Sequence, residues 1–161
     1  MAANLYLALG SNLGDRLAAI NDAVRRLGES LTVEAVSPIY ETDAIADQPQ
    51  PPYLNAVLRA RTELAPRAVL ELALGVERAM GRVRPAGRVR APRIIDIDVL
   101  LCGGLVAAEP GLAIPHPALL ARAFVRIPLA DVAAPGLAHP LTGERLDRAA
   151  PDPGVRRLPG P

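Results

Sequence analysis

Lysine and tryptophan are missing from this sequence, and cysteine occurs once, as Cys102. A lone cysteine excludes an internal disulfide, and the chain has no Cys/His cluster of zinc type. Cys102 reads as a small hydrophobe packed inside a cytoplasmic protein. No apolar run is long enough to span a bilayer, so no membrane association through a helix is expected. The amino terminus lacks a basic segment followed by a cleavage site, so no secretory leader is expected. Formal net charge is only +1, which argues against a generally basic nucleic-acid binder. A hydrophobic content of 50 % excludes a disordered chain. Aromatics are scarce: Tyr6, Tyr40, Tyr53 and Phe124 are the whole set, so each is more informative than usual. All 18 basic residues are arginine, a compositional bias that weakens any inference from one arginine alone.

The length of 161 residues suits a single domain with a sizeable core. That core is expected over about residues 3–142, with 150–161 as a loose tail. The chain is organised around residues 81–101, GRVRPAGRVRAPRIIDIDVLL. Its first half is an arginine loop with Arg82, Arg84, Arg88, Arg90 and Arg93, broken by Pro85, Gly87 and Pro92. Guanidinium forks bind phosphate oxygens bidentately. Its second half is an apolar strand interrupted by Asp96 and Asp98. Residues i and i+2 of a strand share a face, roughly 6.5 to 7 Å apart. The two acids therefore project together, and Ile95, Ile97 and Val99 project the other way. Such a pair can bracket two divalent cations of a phosphoryl-transfer site. An Asp-x-Asp pair or an arginine run alone is a weak signal, but together they point to a polyphosphate and its metals.

Taken in order, Asn4 to Leu9 reads as a buried first strand. A glycine turn follows, Gly10 to Gly14, with Ser11 or Asn12 as the expected N-cap of a helix. Leu13, Leu17, Ile20, Val24 and Leu27 recur at helical spacing, and Gly28 ends that helix. Leu31 to Thr42 is a strand with a bulge or edge at Pro38. Residues 43–52 form a polar, proline-rich loop suited to binding. Tyr53 to Thr62 alternates as a strand. Pro66 starts a second helix through Val69, Leu70, Ala73, Val76 and Met80, closed by Gly81. Glu77 lies in its last turn, where the dipole disfavours an anion. Either a cation from the arginine loop faces it, or it is an exposed helical glutamate. Ile94 to Cys102 is the acidic strand. His116, between Pro115 and Pro117, sits on a rigid loop, and His139 is expected at the surface. Strand, helix, strand, strand, helix, strand is the α+β, ferredoxin-like βαββαβ order. It places an antiparallel sheet behind two helices on one face, with a C-terminal loop and helix extension.

Several of these stretches together resemble the 6-hydroxymethyl-7,8-dihydropterin pyrophosphokinase family. Residues 92–101, PRIIDIDVLL, are similar to its signature. Gly10-Ser11-Asn12-Leu13, Tyr53-Leu54-Asn55, Glu77 with Gly81-Arg82-Val83-Arg84, Pro115-His116-Pro117, and Arg122 with Phe124 match in order. The resemblance implies transfer of the pyrophosphoryl group of ATP, the co-substrate, to the pterin hydroxymethyl group in folate biosynthesis. It implies two Mg²⁺ ions on Asp96 and Asp98. It also implies phosphate contacts from Arg82, Arg84, Arg93, His116 and Arg122, helped by Glu77. Asn55 would bond the pterin edge, with backbone partners at Thr42 and Ile45, and Tyr53 and Phe124 would flank the ring. A cytoplasmic monomer with no nucleic-acid partner and no fused second enzyme is expected. The chain departs from the family's usual residues at Leu74, Pro85, Arg90 and Ala91. Two other functions compete on the same sheet. One is an RNA-binding module, although the strands lack paired aromatics for stacking bases. The other is a regulatory domain that binds nucleotide without chemistry.

Overall fold

The computed structural model describes residues 2–43, 50–81 and 93–159. Alternation in β1 (Ala3–Ser11) sends Leu5, Leu7 and Leu9 into one core and Tyr6 into another, with Ala8 against the second. The first core lies between the sheet and two helices, α1 (Arg16–Leu27) and α2 (Pro66–Ala79). Two further strands follow α1, β2 (Thr32–Val36) and β3 (Tyr40–Thr42). Both pair antiparallel with successive parts of the long strand β4 (Tyr53–Thr62). β4 pairs with β1, and β1 with the acidic strand β5 (Asp96–Cys102), also antiparallel. Counting β2 and β3 as one broken strand, the order is fourth, first, third, second. That is the expected ferredoxin-like arrangement.

A single strand was expected over 31–42. Pro38 divides it because proline has no N–H for the ladder. Ser37 repairs the gap: its backbone N–H donates to the Val57 carbonyl, and its hydroxyl accepts from the Val57 N–H at 2.9 Å. The N-cap expected at Ser11 or Asn12 is instead Asp15, whose carboxylate accepts from Ala18 N–H at 3.0 Å. Ser11 is the last residue of β1, and Gly14, at φ 71°, makes the turn between. The buried stripe of α1 is Ala19, Ile20, Ala23 and Leu27, so Leu13 and Leu17, at 44 % and 46 % exposure, stay at the surface.

After β5 a small ribbon of β6 (Ala107–Glu109) and β7 (Leu112–Ile114) returns Leu112 and Ile114 to the first core. The helix α3 (Ala123–Val132) then lies on the other sheet face, where Val125, Leu129 and Val132 meet Tyr6, Val57, Leu100 and Leu101. Its carboxy-terminal half is tied to the sheet by polar contacts. Tyr40 Oη donates to Asp131 Oδ2 at 2.5 Å, Arg59 Nη1 donates to the Val132 carbonyl at 2.6 Å, and Ala134 N–H donates to Tyr6 Oη at 3.0 Å. The cationic Arg59 therefore meets the negative end of the helix.

Two expectations about the C-terminal region change. His139 is buried, at 7 % exposure, and its Nδ1 accepts from the Leu141 and Thr142 N–H groups. The expected loose tail contains β8 (Arg156–Arg157), which pairs with the free edge of β3.

Burial, and then the hydrogen bond to Asp131, push the Tyr40 phenol up to about 12 from 10.0. The folded value exceeds the unfolded one, so this contact stabilises fully below about pH 10 and is lost as pH rises towards 12. Tyr40→Phe should cost about 1–2 kcal/mol in denaturant unfolding at neutral pH. Its difference from the wild type should vanish across that alkaline window.

Candidate active site

On the α3 face of the sheet, side-chain size falls from one end to the other. Under α3 the face is filled by Tyr6, Val57 and Leu100. Towards the other end β1 presents Ala8 and Gly10, β4 presents Asn55 and Tyr53, and β5 presents Asp98 and Asp96. Register aligns these as rows: Ala8 stands opposite Asp98, and Gly10 stands between Asn55 and Asp96. A β-carbon on Gly10 would meet Asn55 Oδ1 and Tyr53 Cδ1, each at 3.4 Å. The missing side chains leave a cavity of about 390 Å³, walled also by Thr42, Asp43, Arg93, Arg122 and Phe124. Volumes of this order suit small-molecule ligands.

Asp96 and Asp98 share the cavity floor, as the strand period requires, while Ile95, Ile97 and Val99 are buried in the opposite core. The pair is electrostatically strained. Desolvation, and then the Asp96 charge, hold the Asp98 carboxyl above its usual range, against the pull of His116, Arg122 and Arg93. Arg93 Nη1 donates to Asp96 Oδ2 at 3.0 Å. Desolvation holds the His116 imidazole below its usual range, with Asp98 pulling it up. His116 Nδ1 accepts from Ala118 N–H at 3.1 Å, so the neutral ring carries its proton on Nε2. The loop is anchored by His116 N–H donating to the Leu100 carbonyl at 3.0 Å, which sets the histidine beside the acidic strand. The Arg122 guanidinium lies 5.7 Å from the centre of the Phe124 ring, a cation–π distance.

Glu77 is not an exposed glutamate. It is 4 % exposed, and its Oε2 accepts from the Ile97 N–H at 2.8 Å. It thus holds from α2 the peptide that lies between the two acids. Of the arginine loop considered as its source of a cation, Arg82, Arg84, Arg88 and Arg90 lie outside the described residues, as does Ile45. Thr42 adds a side-chain role to the backbone one expected of it: its Oγ1 accepts from Asn55 Nδ2 at 2.7 Å, inside the protein.

Asn12 is the main residue whose role was not anticipated. It is fully buried, its Nδ2 donates to Gln50 Oε1 and the Pro51 carbonyl, and its Oδ1 accepts from Arg93 N–H at 2.7 Å. It therefore joins the chain leading into Tyr53 to the arginine that holds Asp96. Its sequence signal, a polar residue in a glycine turn before a helix, pointed to an N-cap, the part that Asp15 takes. Thr42→Val should leave the buried Asn55 amide short of a partner and cost about 1–3 kcal/mol. Urea unfolding would measure this, with Ser at the same position restoring most of the loss.

Comparison with known proteins gives the family. The family model described as 7,8-dihydro-6-hydroxymethylpterin-pyrophosphokinase (HPPK) matches residues 6–134, a span that ends before β8. The chain is 41 % identical over 166 residues to the 2-amino-4-hydroxy-6-hydroxymethyldihydropteridine pyrophosphokinase of Pseudomonas aeruginosa, covering 99 % of each. It is 43 % identical over 130 residues to the protein of the same name from Methylorubrum extorquens, covering 80 % of this chain and 81 % of the relative. Among solved structures, wild-type HPPK-DHPS of Plasmodium falciparum superposes with a TM-score of 0.70 at 14 % identity, covering 91 % of this chain and 44 % of that one. The chain thus spans less than half of that longer protein, and the likeness shows the fold alone. The sequence relatives and the family model decide the assignment: the chain belongs to the 7,8-dihydro-6-hydroxymethylpterin-pyrophosphokinase family.

Proposed function

We propose that the cavity floored by Asp96 and Asp98 is where this chain carries out its family's reaction. That reaction transfers the pyrophosphoryl group of ATP to the hydroxymethyl group of 6-hydroxymethyl-7,8-dihydropterin, giving AMP and the pterin diphosphate in folate biosynthesis. The observation that carries this placement is the shared cavity: two carboxylates on one side of β1, Asn55 and Tyr53 across it on β4, and Arg93, Arg122 and Phe124 in the same lining.

The acids suit Mg²⁺. Among the described residues no group of three or more His, Cys, Asp or Glu side chains could hold a metal. Mg²⁺ needs no such cage, because one or two carboxylates suffice when phosphates and water complete its shell. The raised Asp98 carboxyl supports the assignment, since a cation beside the pair relieves the repulsion between them. Two Mg²⁺ ions on Asp96 and Asp98 would supply charge neutralisation at the triphosphate and the attacking oxygen.

Protein groups supply position. Arg93 and Arg122 meet phosphate oxygens, assisted by Arg82 and Arg84, and His116 donates through Nε2. Glu77 holds the peptide at Ile97 and so keeps both acids aimed at one site. Asn55, fixed by Thr42, reads the polar edge of the pterin, and backbone groups at Thr42 and Ile45 add to that edge. Tyr53 and Phe124 flank its ring. The hydroxymethyl oxygen then forms a bond to the β-phosphorus of ATP. The bond from that phosphorus to the oxygen bridging the α-phosphorus breaks, AMP leaves with the electron pair, and the hydroxyl proton is lost. Such transfers depend mainly on alignment and charge neutralisation.

Asp96→Asn and Asp98→Asn should each lower turnover at least about a hundredfold. The nucleotide product in the wild type, read by chromatography, should be AMP; ADP with a pterin monophosphate would overturn the mechanism. Stability should move the other way. A raised folded pKa means that ionised Asp98 destabilises the ligand-free fold, and that stability is gained as pH falls. Asp98→Asn without ligands should therefore melt above the wild type at neutral pH.

A further inference from the structure

Glu41, the middle residue of β3, is gripped from two sides. Arg16, on α1, donates from Nη1 to its Oε2 at 2.8 Å. Arg156, on β8, stands with Nη2 3.7 Å from its Oε1. Each arginine also reaches one end of the connection between β3 and β4. Arg156 Nη2 lies 3.3 Å from Asp43 Oδ1, and Arg16 Nη1 donates to the Pro52 carbonyl at 2.9 Å. Asp43 and Tyr53, the residue after Pro52, both line the cavity. β8 reinforces the grip. It pairs Arg156 with Glu41 and Arg157 with Tyr40, Leu158 N–H donates to the Ile39 carbonyl at 2.9 Å, and the Leu158 side chain packs on the first core.

We propose that the C-terminal strand is part of the pterin site. In this proposal, Glu41, held between Arg16 and Arg156, sets the positions of Asp43 and Pro52 and so the width of the wall that receives the flat heterocycle. The proposal rests on the function proposed above and deepens it. Arg16, Glu41 and Arg156 are positioning residues, acting through Thr42, Asp43 and Tyr53. The contacts are unequal. Asp43 is 83 % exposed along its side chain and Arg156 45 %, so water screens that pair and it contributes little alone. Arg16 and Glu41, at 29 % and 25 %, are better shielded. Glu41 is therefore the centre of the device, while β8 supplies one arginine and the backbone pairing that keeps β3 straight. The strand lies outside the span matched by the family model, while the Pseudomonas aeruginosa relative aligns over 99 % of this chain.

Glu41→Gln preserves shape and removes the charge that both arginines share. Calorimetric titration with 6-hydroxymethyl-7,8-dihydropterin and, separately, with Mg-ATP should show a split. The pterin Kd should rise about tenfold and the Mg-ATP Kd less than about twofold. Arg156→Glu, at the surface, should give the same split with a smaller pterin effect, and Arg156→Lys should largely restore the wild-type value. Should Glu41→Gln not fold, Arg156→Glu decides. Unchanged pterin affinity in the variants, with only a lower unfolding midpoint, would overturn the proposal, as would equal losses for both ligands. Failure of the wild type to form AMP would instead overturn the function proposed above, while the binding split would still judge the triad.

Discussion

Two like charges held on one face of a strand are the constraint on which the rest of this structure depends. Asp96 and Asp98 cannot be separated, because the two-residue period of β5 puts them side by side while Ile95, Ile97 and Val99 are drawn into the core behind. The burial that fixes the strand also fixes the repulsion. The surroundings answer it at several distances. Arg93 bonds Asp96 directly, Arg122 and His116 lower the cost at Asp98, and Glu77 anchors the peptide between them from behind. Glu77 is itself a buried acid near the end of a helix whose dipole disfavours an anion there. The site thus concentrates negative charge in a place where the fold alone would favour apolar side chains. A polyphosphate with its cations is the kind of ligand that turns this cost into affinity.

The scarce aromatic residues divide the work of the opposite face. Tyr53 and Phe124 line the cavity, whereas Tyr6 and Tyr40 hold the far end of α3 through their hydroxyls. With Arg59 they pin the carboxy-terminal end of that helix to the sheet. Arg122 and Phe124 sit at its other end, so a rigid helix carries them over the cavity. The placement of Arg122 and Phe124 at the cavity therefore depends on contacts made at the opposite end of a ten-residue helix.

The strands and helices of the core were legible because their signals are local: apolar repeats of two or near four, a proline at a helix start, glycine at its end. Both acids were legible for the same reason. What could not be read depends on partners far apart in sequence. Asn12 sits in a motif that invites a capping role, and only the packing of three segments shows that it bridges Gln50, Pro51 and Arg93. Leu13 and Leu17 fit a helical stripe, yet Leu13 precedes α1 and the buried stripe runs through Ala19, Ile20, Ala23 and Leu27. His139 looked like a surface residue in a weakly patterned tail, but backbone N–H groups from its own turn satisfy its ring. The strand at Arg156 has two residues and no pattern of its own; the open edge of β3 creates it.

The dwindling of side chains along β1, from Tyr6 through Ala8 to Gly10, gives the cavity an unusual status. It is a stretch of protein interior that was never filled, continuous with the core beneath α3. On the sheet side, its boundary is therefore a matter of residue volume. Larger apolar residues at positions 8 and 10 would carry the core outward to the acids and close the cavity. Cavity volume and the packing of this half of the molecule are thus set by the same row of side chains.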